Sequence, residues 1–234
     1  MAELVAFSRL IRDKIDLLIY HDDMSVATRI SKAKQFKFKR NTGGTLLIAC
    51  GALAHEIVQL IEINRLDKFD VQCLPARLHH RPSLIPDALE EILEQQHNNY
   101  KKVYVVYGDC GTAGGIDKVL QKYQVERIAG PHCFSFFEGN QNFASNEDDI
   151  TSFFLTDFFC RHFDKFIWRE FGMDREPSMV ELLFGNYKKV VYVAQTENAE
   201  LKAKALEISQ RLGLEFEYRY RGYADLGVFI ENIA

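Results

Sequence analysis

Three of the five cysteines share a context that packing alone explains poorly. Cys50 ends the apolar run Thr45-Leu-Leu-Ile-Ala-Cys50 and is followed by Gly51. Cys110 lies in Gly108-Asp-Cys-Gly-Thr-Ala-Gly-Gly115, directly after the strand-like Val103-Tyr-Val-Val-Tyr107. Cys133 closes Gly130-Pro-His-Cys133, just past the strand-like segment 125–128. Each thiol therefore stands at or beyond the carboxyl end of an expected strand. In a parallel sheet those ends share one rim, so sulfurs far apart in sequence can converge. Thiolates are soft ligands, and three of them suit an iron–sulfur cluster or zinc. Three protein ligands leave one coordination position open, as a reactive centre requires. A [4Fe–4S] cluster is the first choice and a zinc ion the second. Zinc would take water, or one of His132, His79, His80 and Asp109, as its fourth ligand. The competing reading is three unrelated buried thiols.

A second group of polar residues belongs to the same expected rim. Arg77, His79, His80 and Arg81 fall in the loop after the strand-like Phe69-Asp-Val-Gln-Cys-Leu74. Arginine grips a carboxylate or phosphate through two parallel hydrogen bonds, and histidine moves protons near neutrality. Asp109, His132 and His79 are the candidates for proton transfer. Arg77, His80, Arg81, Gly111, Thr112 and Gln195 are the candidates for holding a small anionic substrate, with Gln195 placed by the strand that ends at Ala194. The glycine loop has the composition of a phosphate cradle, but it fits neither the Walker nor the dinucleotide spacing.

Strands alternating with helices must deliver these residues. Apolar periodicity predicts helices over 52–63, 84–96, 116–123, 178–184 and 199–212, the last stopped by Gly213. Strands are expected over 45–50, 69–74, 103–107, 125–128, 190–194 and 215–219. The pattern predicts an α/β fold: a doubly wound, mostly parallel sheet with helices on both faces, Rossmann-like. Residues 150–171 read as one long aromatic helix, apolar nearly all round, which is buried or packs between subunits of a homo-oligomer. Residues 1–42 read as an amino-terminal extension, with a helical stripe over 4–18 and a basic run Ser31-Lys-Ala-Lys-Gln-Phe-Lys-Phe-Lys-Arg40. That run is expected to be a solvated linker or a lysine-guarded edge strand. Residues 43–234 form the metal-binding α/β domain.

Bulk properties narrow the classes. A net charge of −4 leaves no basic excess for nucleic acid. No apolar run reaches spanning length and no secretory signal is visible, so neither a membrane nor export is expected. Five dispersed cysteines indicate a reducing, cytoplasmic setting. Cys73, inside a strand, and Cys160, inside the aromatic segment, read as buried small hydrophobes.

Taken together, Ala49-Cys-Gly-Ala-Leu53, Leu74-Pro-Ala-Arg-Leu-His-His-Arg-Pro82, Tyr107-Gly-Asp-Cys-Gly-Thr112 and Gly130-Pro-His-Cys133 resemble the uncharacterised prokaryotic family "domain of unknown function 1638". The resemblance extends through Phe154-Leu-Thr-Asp157 and Ala194-Gln195. The family resembles one whose genes neighbour corrinoid-dependent methyltransferases, which implies a place in one-carbon metabolism and a corrinoid methyltransferase system as partner. Two functional expectations result. One is a metalloenzyme acting on a small anion, lyase-like or desulfurising with a cluster and hydrolytic with zinc. The other is a non-catalytic accessory that binds a corrinoid protein or its cofactor.

Overall fold

The computed structural model describes residues 36–38 and 44–234; the helical stripe expected over 4–18 and most of the basic run lie outside them. The chain groups into two compact units, Met1–Cys133 with Phe229–Ala234, and Phe134–Val228.

The first unit is built on a five-stranded sheet of β1 (Phe36–Phe38), β2 (Thr45–Cys50), β3 (Phe69–Leu74), β4 (Lys102–Val106) and β5 (Glu126–Arg127), in the order β1-β3-β2-β4-β5. β2 pairs in parallel with β3 and β4, and β4 with β5, while β1 runs antiparallel along the edge of β3. Every residue of β2, a continuous apolar strand inside the sheet, is buried, and so is every residue of β3, which carries Asp70 and Gln72 among its apolar side chains. Helices α1 (Ala54–Ile63), α2 (Ile85–Gln96) and α3 (Gly115–Tyr123) make the crossovers. The chain leaves β2 for β3 on one side and then returns to place β4 on the other. The order therefore reverses at β2, and such a switch point opens a crevice at the carboxyl ends of the strands beside it. Cys50 ends one of those strands and the Cys110 loop follows the other.

The second unit carries a three-stranded parallel sheet, β6 (Ser152–Leu155), β7 (Lys189–Ala194) and β8 (Glu215–Tyr220), in the order β6-β7-β8. Its helices are α4 (Ser135–Glu138), α5 (Asn140–Ser145), α6 (Asp157–Phe163), α7 (Ser178–Phe184) and α8 (Ala199–Leu212); a final helix, α9, spans Ala224–Asn232. Asn198 caps α8 by accepting from the Glu200 and Leu201 amides, and Gly213 ends it with φ of 71°. The parallel α/β class is as expected, but the strands are shared between two sheets.

The single helix expected over 150–171 is instead strand β6, helix α6 and a π-helical turn, Asp164–Arg169. A short apolar run suits either period, and the deciding residue is Thr156, whose extended backbone ends the strand. Its hydroxyl accepts from the Phe159 amide and starts the helix. Among the described residues no helix is long and apolar enough to cross a membrane.

An ionic knot ties β6, β7 and β8 together. Arg219 grips Asp149 with both terminal nitrogens, at 2.7 and 2.8 Å, and donates to Glu217 through Nε at 2.6 Å. Lys189 bridges Glu217 at 2.6 Å and Asp149 at 3.4 Å. Asp149 is sealed from solvent by these partners more than by depth in the unit. Burial pushes its carboxyl up, and Arg219 and Lys189 more than reverse this, leaving it below the usual range. A lowered carboxylate contributes stability that is complete above its unfolded value, about 3.9, and that disappears as pH falls through the folded value. Asp149→Asn should cost roughly 2–3 kcal/mol near neutrality. In urea unfolding it should also lose less stability than the wild type when the pH falls from about 5 to about 2.5.

Candidate functional site

The three sulfurs meet, and the backbone shows why. At the end of β2, a Cβ on Gly51 would stand 2.8 Å from the Leu74 carbonyl oxygen and 3.0 Å from the Ala76 nitrogen, so only glycine lets these strand ends lie so close. Past β4, a Cβ on Gly108 would fall 2.8–2.9 Å from the backbone of His132. The two loops are also joined by hydrogen bonds from the Asp109 amide to the Gly130 carbonyl, 3.0 Å, and from the Cys110 amide to the Pro131 carbonyl, 2.8 Å. That zipper brings Cys110 Sγ to 3.4 Å from Cys133 Sγ. Cys50 is buried and approaches Cys133 as well, while Cys110 and Cys133 are half-buried; all three thiols are free.

The cluster distributes its protons unevenly. A hydrogen bond from Cys133 lowers the Cys50 pKa, against the upward push of burial, with further help from Tyr107 and the Ala52 amide. Cys133 is pushed well up by its hydrogen bonds to Cys110 and Cys50 and by burial. Of these two thiols, Cys50 is thus the readier to ionise. Tyr107 is buried, and its pKa is raised by burial and then by the Cys50 charge. Its hydroxyl makes no well-formed hydrogen bond among the described residues, so its approach to Cys50 is an electrostatic contact and falls short of a bond.

The Cys110 loop is held by its own aspartate. The Asp109 carboxylate accepts from the Thr112 hydroxyl (2.9 Å), the Ala113 amide (3.2 Å) and the Gly114 amide (2.8 Å). The Gly114 amide leads in lowering its pKa. Thr112 Oγ1 in turn accepts from the Ile116 amide at the start of α3, 3.4 Å away. Asp109 and Thr112, expected to serve proton transfer and substrate, are thus engaged in shaping the turn. The amides that a phosphate would need already face a carboxylate. Cys110 itself takes φ of 49°, a left-handed conformation that costs a non-glycine residue about 1–2 kcal/mol.

The arginine- and histidine-bearing loop reaches the same rim. Residues Ala76–His80 form a 3-10 turn after β3, and Pro82 packs against Gly111, where an added Cβ would lie 3.5 Å from it. The His79 and His80 rings meet edge to face at 5.6 Å. Desolvation, then His80 and His132, push the His79 pKa down. His79 itself stands exposed in the turn. Desolvation also lowers His132, with Asp109 opposing it. Arg77 is half-buried in the turn and Arg81 is exposed.

Gln195 follows β7 in the second unit, buried, where its Oε1 accepts from the Asp157 amide at 2.7 Å. The strand before it joins the three-stranded sheet, not the sheet whose strands carry the thiols. Two further residues at the rim, Tyr107 and Arg127, are not among the expected site residues. Arg127 pairs with Asp117 at 2.6 and 2.9 Å and donates to the carbonyls of Tyr107, 3.3 Å, and Ile128, 3.0 Å, bracing α3 against the ends of β4 and β5. The charged pair Glu126-Arg127 between Val125 and Ile128 was the available signal.

As the side chains stand, no group of three or more histidine, cysteine, aspartate or glutamate residues among the described residues is arranged to hold a metal ion. The first unit is a parallel α/β fold presenting a cluster of interacting thiols at the switch point of its sheet. The chain belongs to the family described as "Protein of unknown function (DUF1638)", whose model matches residues 73–229. That span takes in Cys110, Cys133 and the histidine loop, and begins after Cys50. No curated protein and no solved structure matches the chain.

Gly108→Ala tests the close approach. It should force the loops apart, lower the melting temperature by several degrees (about 2–3 kcal/mol) and abolish oxidative cross-linking of Cys110 to Cys133. Mass spectrometry of the oxidised, alkylated protein reads the second effect directly.

Proposed function

We propose that Cys50, Cys110 and Cys133 are the ligands of a soft metal in a cytoplasmic enzyme that acts on a small anionic molecule. The observation that carries this reading is the meeting of three free thiols, delivered by three separate strand ends, at one partly open rim. Separate strands have no packing reason to end in mutually interacting sulfurs. Two bonds of about 2.3 Å to one tetrahedral ion place sulfurs about 3.8 Å apart. The 3.4 Å contact is nearer to that spacing than to the wider separation of thiolates bound to different irons. Zinc is therefore preferred over the [4Fe–4S] cluster, and loading either group requires the side chains to move from where they stand. A bound zinc would supply a Lewis acid and a polarised water. Arg77 and Arg81 offer guanidinium groups to orient an anion, His79 and His80 supply imidazoles beside the centre, and Asp109 and Arg127 hold the loop that carries Cys110.

The 3.4 Å contact also favours a second reading, a dithiol centre. Cys110 and Cys133 would form a disulfide, passing two electrons and two protons to an acceptor disulfide, which is reduced to two thiols.

Elemental analysis of protein purified without oxygen or chelators decides between them. About one zinc per chain is expected, falling below about a fifth of that in Cys110→Ser and Cys133→Ser. About four irons with a brown colour would establish the cluster instead. Wild-type protein without metal, or metal content unchanged in both variants, would overturn the metal centre. Reversible formation of the Cys110–Cys133 disulfide in metal-free protein would then leave the dithiol standing.

A further inference from the structure

Strand β8 is the longest edge strand among the described residues, with six residues against three in β1, two in β5 and four in β6. It lies at one end of the order β6-β7-β8 and pairs only with β7. The Glu215 and Arg221 amides donate inward, to the Lys188 and Ala194 carbonyls, 3.1 and 3.0 Å away. Alternation then turns the N–H and C=O groups of Phe216, Tyr218 and Tyr220 outward, where no described residue bonds them. No residue of β8 is fully buried, whereas β7 is buried from Val190 to Ala194. Native proteins keep open edges short or blunt them, because an unpaired edge is a template for another strand.

The order of residues along the edge specifies that strand. Glu215-Phe-Glu-Tyr-Arg-Tyr-Arg221 reads as a charge palindrome centred on Tyr218. Laid antiparallel on a second copy, with Tyr218 opposite itself, it sets Glu217 against Arg219 and Glu215 against Arg221 on one face. On the other face, Phe216 meets Tyr220 and Tyr218 meets its own copy. Opposite charges and aromatic pairs across strands both stabilise a sheet. Parallel pairing in register would instead oppose like charges along the whole face. The antiparallel register also makes Tyr218 with its copy, and Phe216 with Tyr220, the hydrogen-bonded pairs, and these are the residues whose main-chain groups point outward. Backbone and side chains therefore select the same centre independently. Glu215 is exposed, Arg221 is 41% exposed and Tyr220 51%, so the outer pairs are open to a partner. Arg219 and Glu217 already bind each other at 2.6 Å, and the inner pairs extend that network with charges of the right sign.

We propose that two copies of this chain pair antiparallel along β8, about a two-fold axis at Tyr218, joining their parallel sheets into one continuous sheet. The same patch serves both copies, so the assembly closes at the dimer. The proposal is independent of the thiol rim.

The test uses the full-length chain with reductant present, so that no disulfide links the copies. Sedimentation equilibrium should give about 54 kDa, twice the 27.0 kDa of the chain, by roughly 100 μM. Hydrogen exchange, resolved to single residues by mass spectrometry, should slow about fivefold or more at the Phe216, Tyr218 and Tyr220 amides between roughly 2 and 200 μM. The Glu217 and Arg219 amides, which face β7, should not change. Tyr220→Pro removes an outward N–H and no bond to β7, and should leave a monomer. Should that variant not fold, Glu215→Arg, at an exposed position, should raise the dissociation constant about fivefold at low salt and by less in about 1 M salt. A monomer at every concentration would overturn the proposal, as would a dimer that persists unweakened in every folded variant. Exchange at the Phe216, Tyr218 and Tyr220 amides that is the same at both concentrations would overturn it equally, since the edge would then be open or covered from within the chain.

Discussion

The passage of the Gly108 backbone against that of His132 is the constraint from which the thiol site follows. Neither loop belongs to a strand at that point, so sheet pairing does not hold them together. What does is the missing Cβ, together with the two amide–carbonyl bonds from Asp109 and Cys110 to Gly130 and Pro131. Once those bonds form, Cys110 has little freedom. Its amide is fixed to one loop, its φ of 49° is imposed, and its sulfur is directed at Cys133. The carboxylate of Asp109 closes the turn from the other side, and Arg127 braces the strand ends beneath. A conformation that costs a cysteine energy is kept because several stronger interactions determine it together.

The same convergence sets the site's chemistry apart from that of the remaining cysteines. Cys73 and Cys160 are almost wholly buried, and burial raises both pKa values, as it does for any thiol with no partner to accept its charge. Cys50 is equally enclosed, yet its pKa falls, because a second thiol can donate to it. Reactivity here comes from sulfurs acting on one another. A single cysteine at that depth would be inert.

That distinction was legible in the chain before any coordinates. Cys73 lies within a strand and Cys160 within a helix, neither beside a glycine, whereas Cys50, Cys110 and Cys133 stand at or beyond strand ends close to a glycine, and a parallel sheet maps that context onto one rim. Helices 178–184 and 199–212 were legible for similarly local reasons, since Asn198 and Gly213 punctuate the second. What the pattern could not carry was the choice of neighbour. Phe153-Phe-Leu155 has no period of its own, so the strand hidden in the aromatic run depended on the Thr156 cap and on pairing with β7. That the strand before Gln195 joins a separate sheet was hidden for the same reason: strand order is a long-range property. The roles of Asp109 and Thr112 in their own turn are short-range, and an aspartate three residues before a threonine in a glycine loop could have been read as a turn closure.

The second unit offers its own contrast, between two buried carboxylates. Asp157 is fully enclosed and fully answered: it accepts from the Tyr192 hydroxyl at 2.7 Å, the Gln195 amide at 3.1 Å and the Thr196 hydroxyl at 2.6 Å, with Arg161 at 3.6 Å. Each partner comes from the end of β7 or from its own helix, so the group locks α6 onto the sheet and has nothing left for a ligand. Glu138 is almost as buried and draws two arginines, but both fall on the same oxygen.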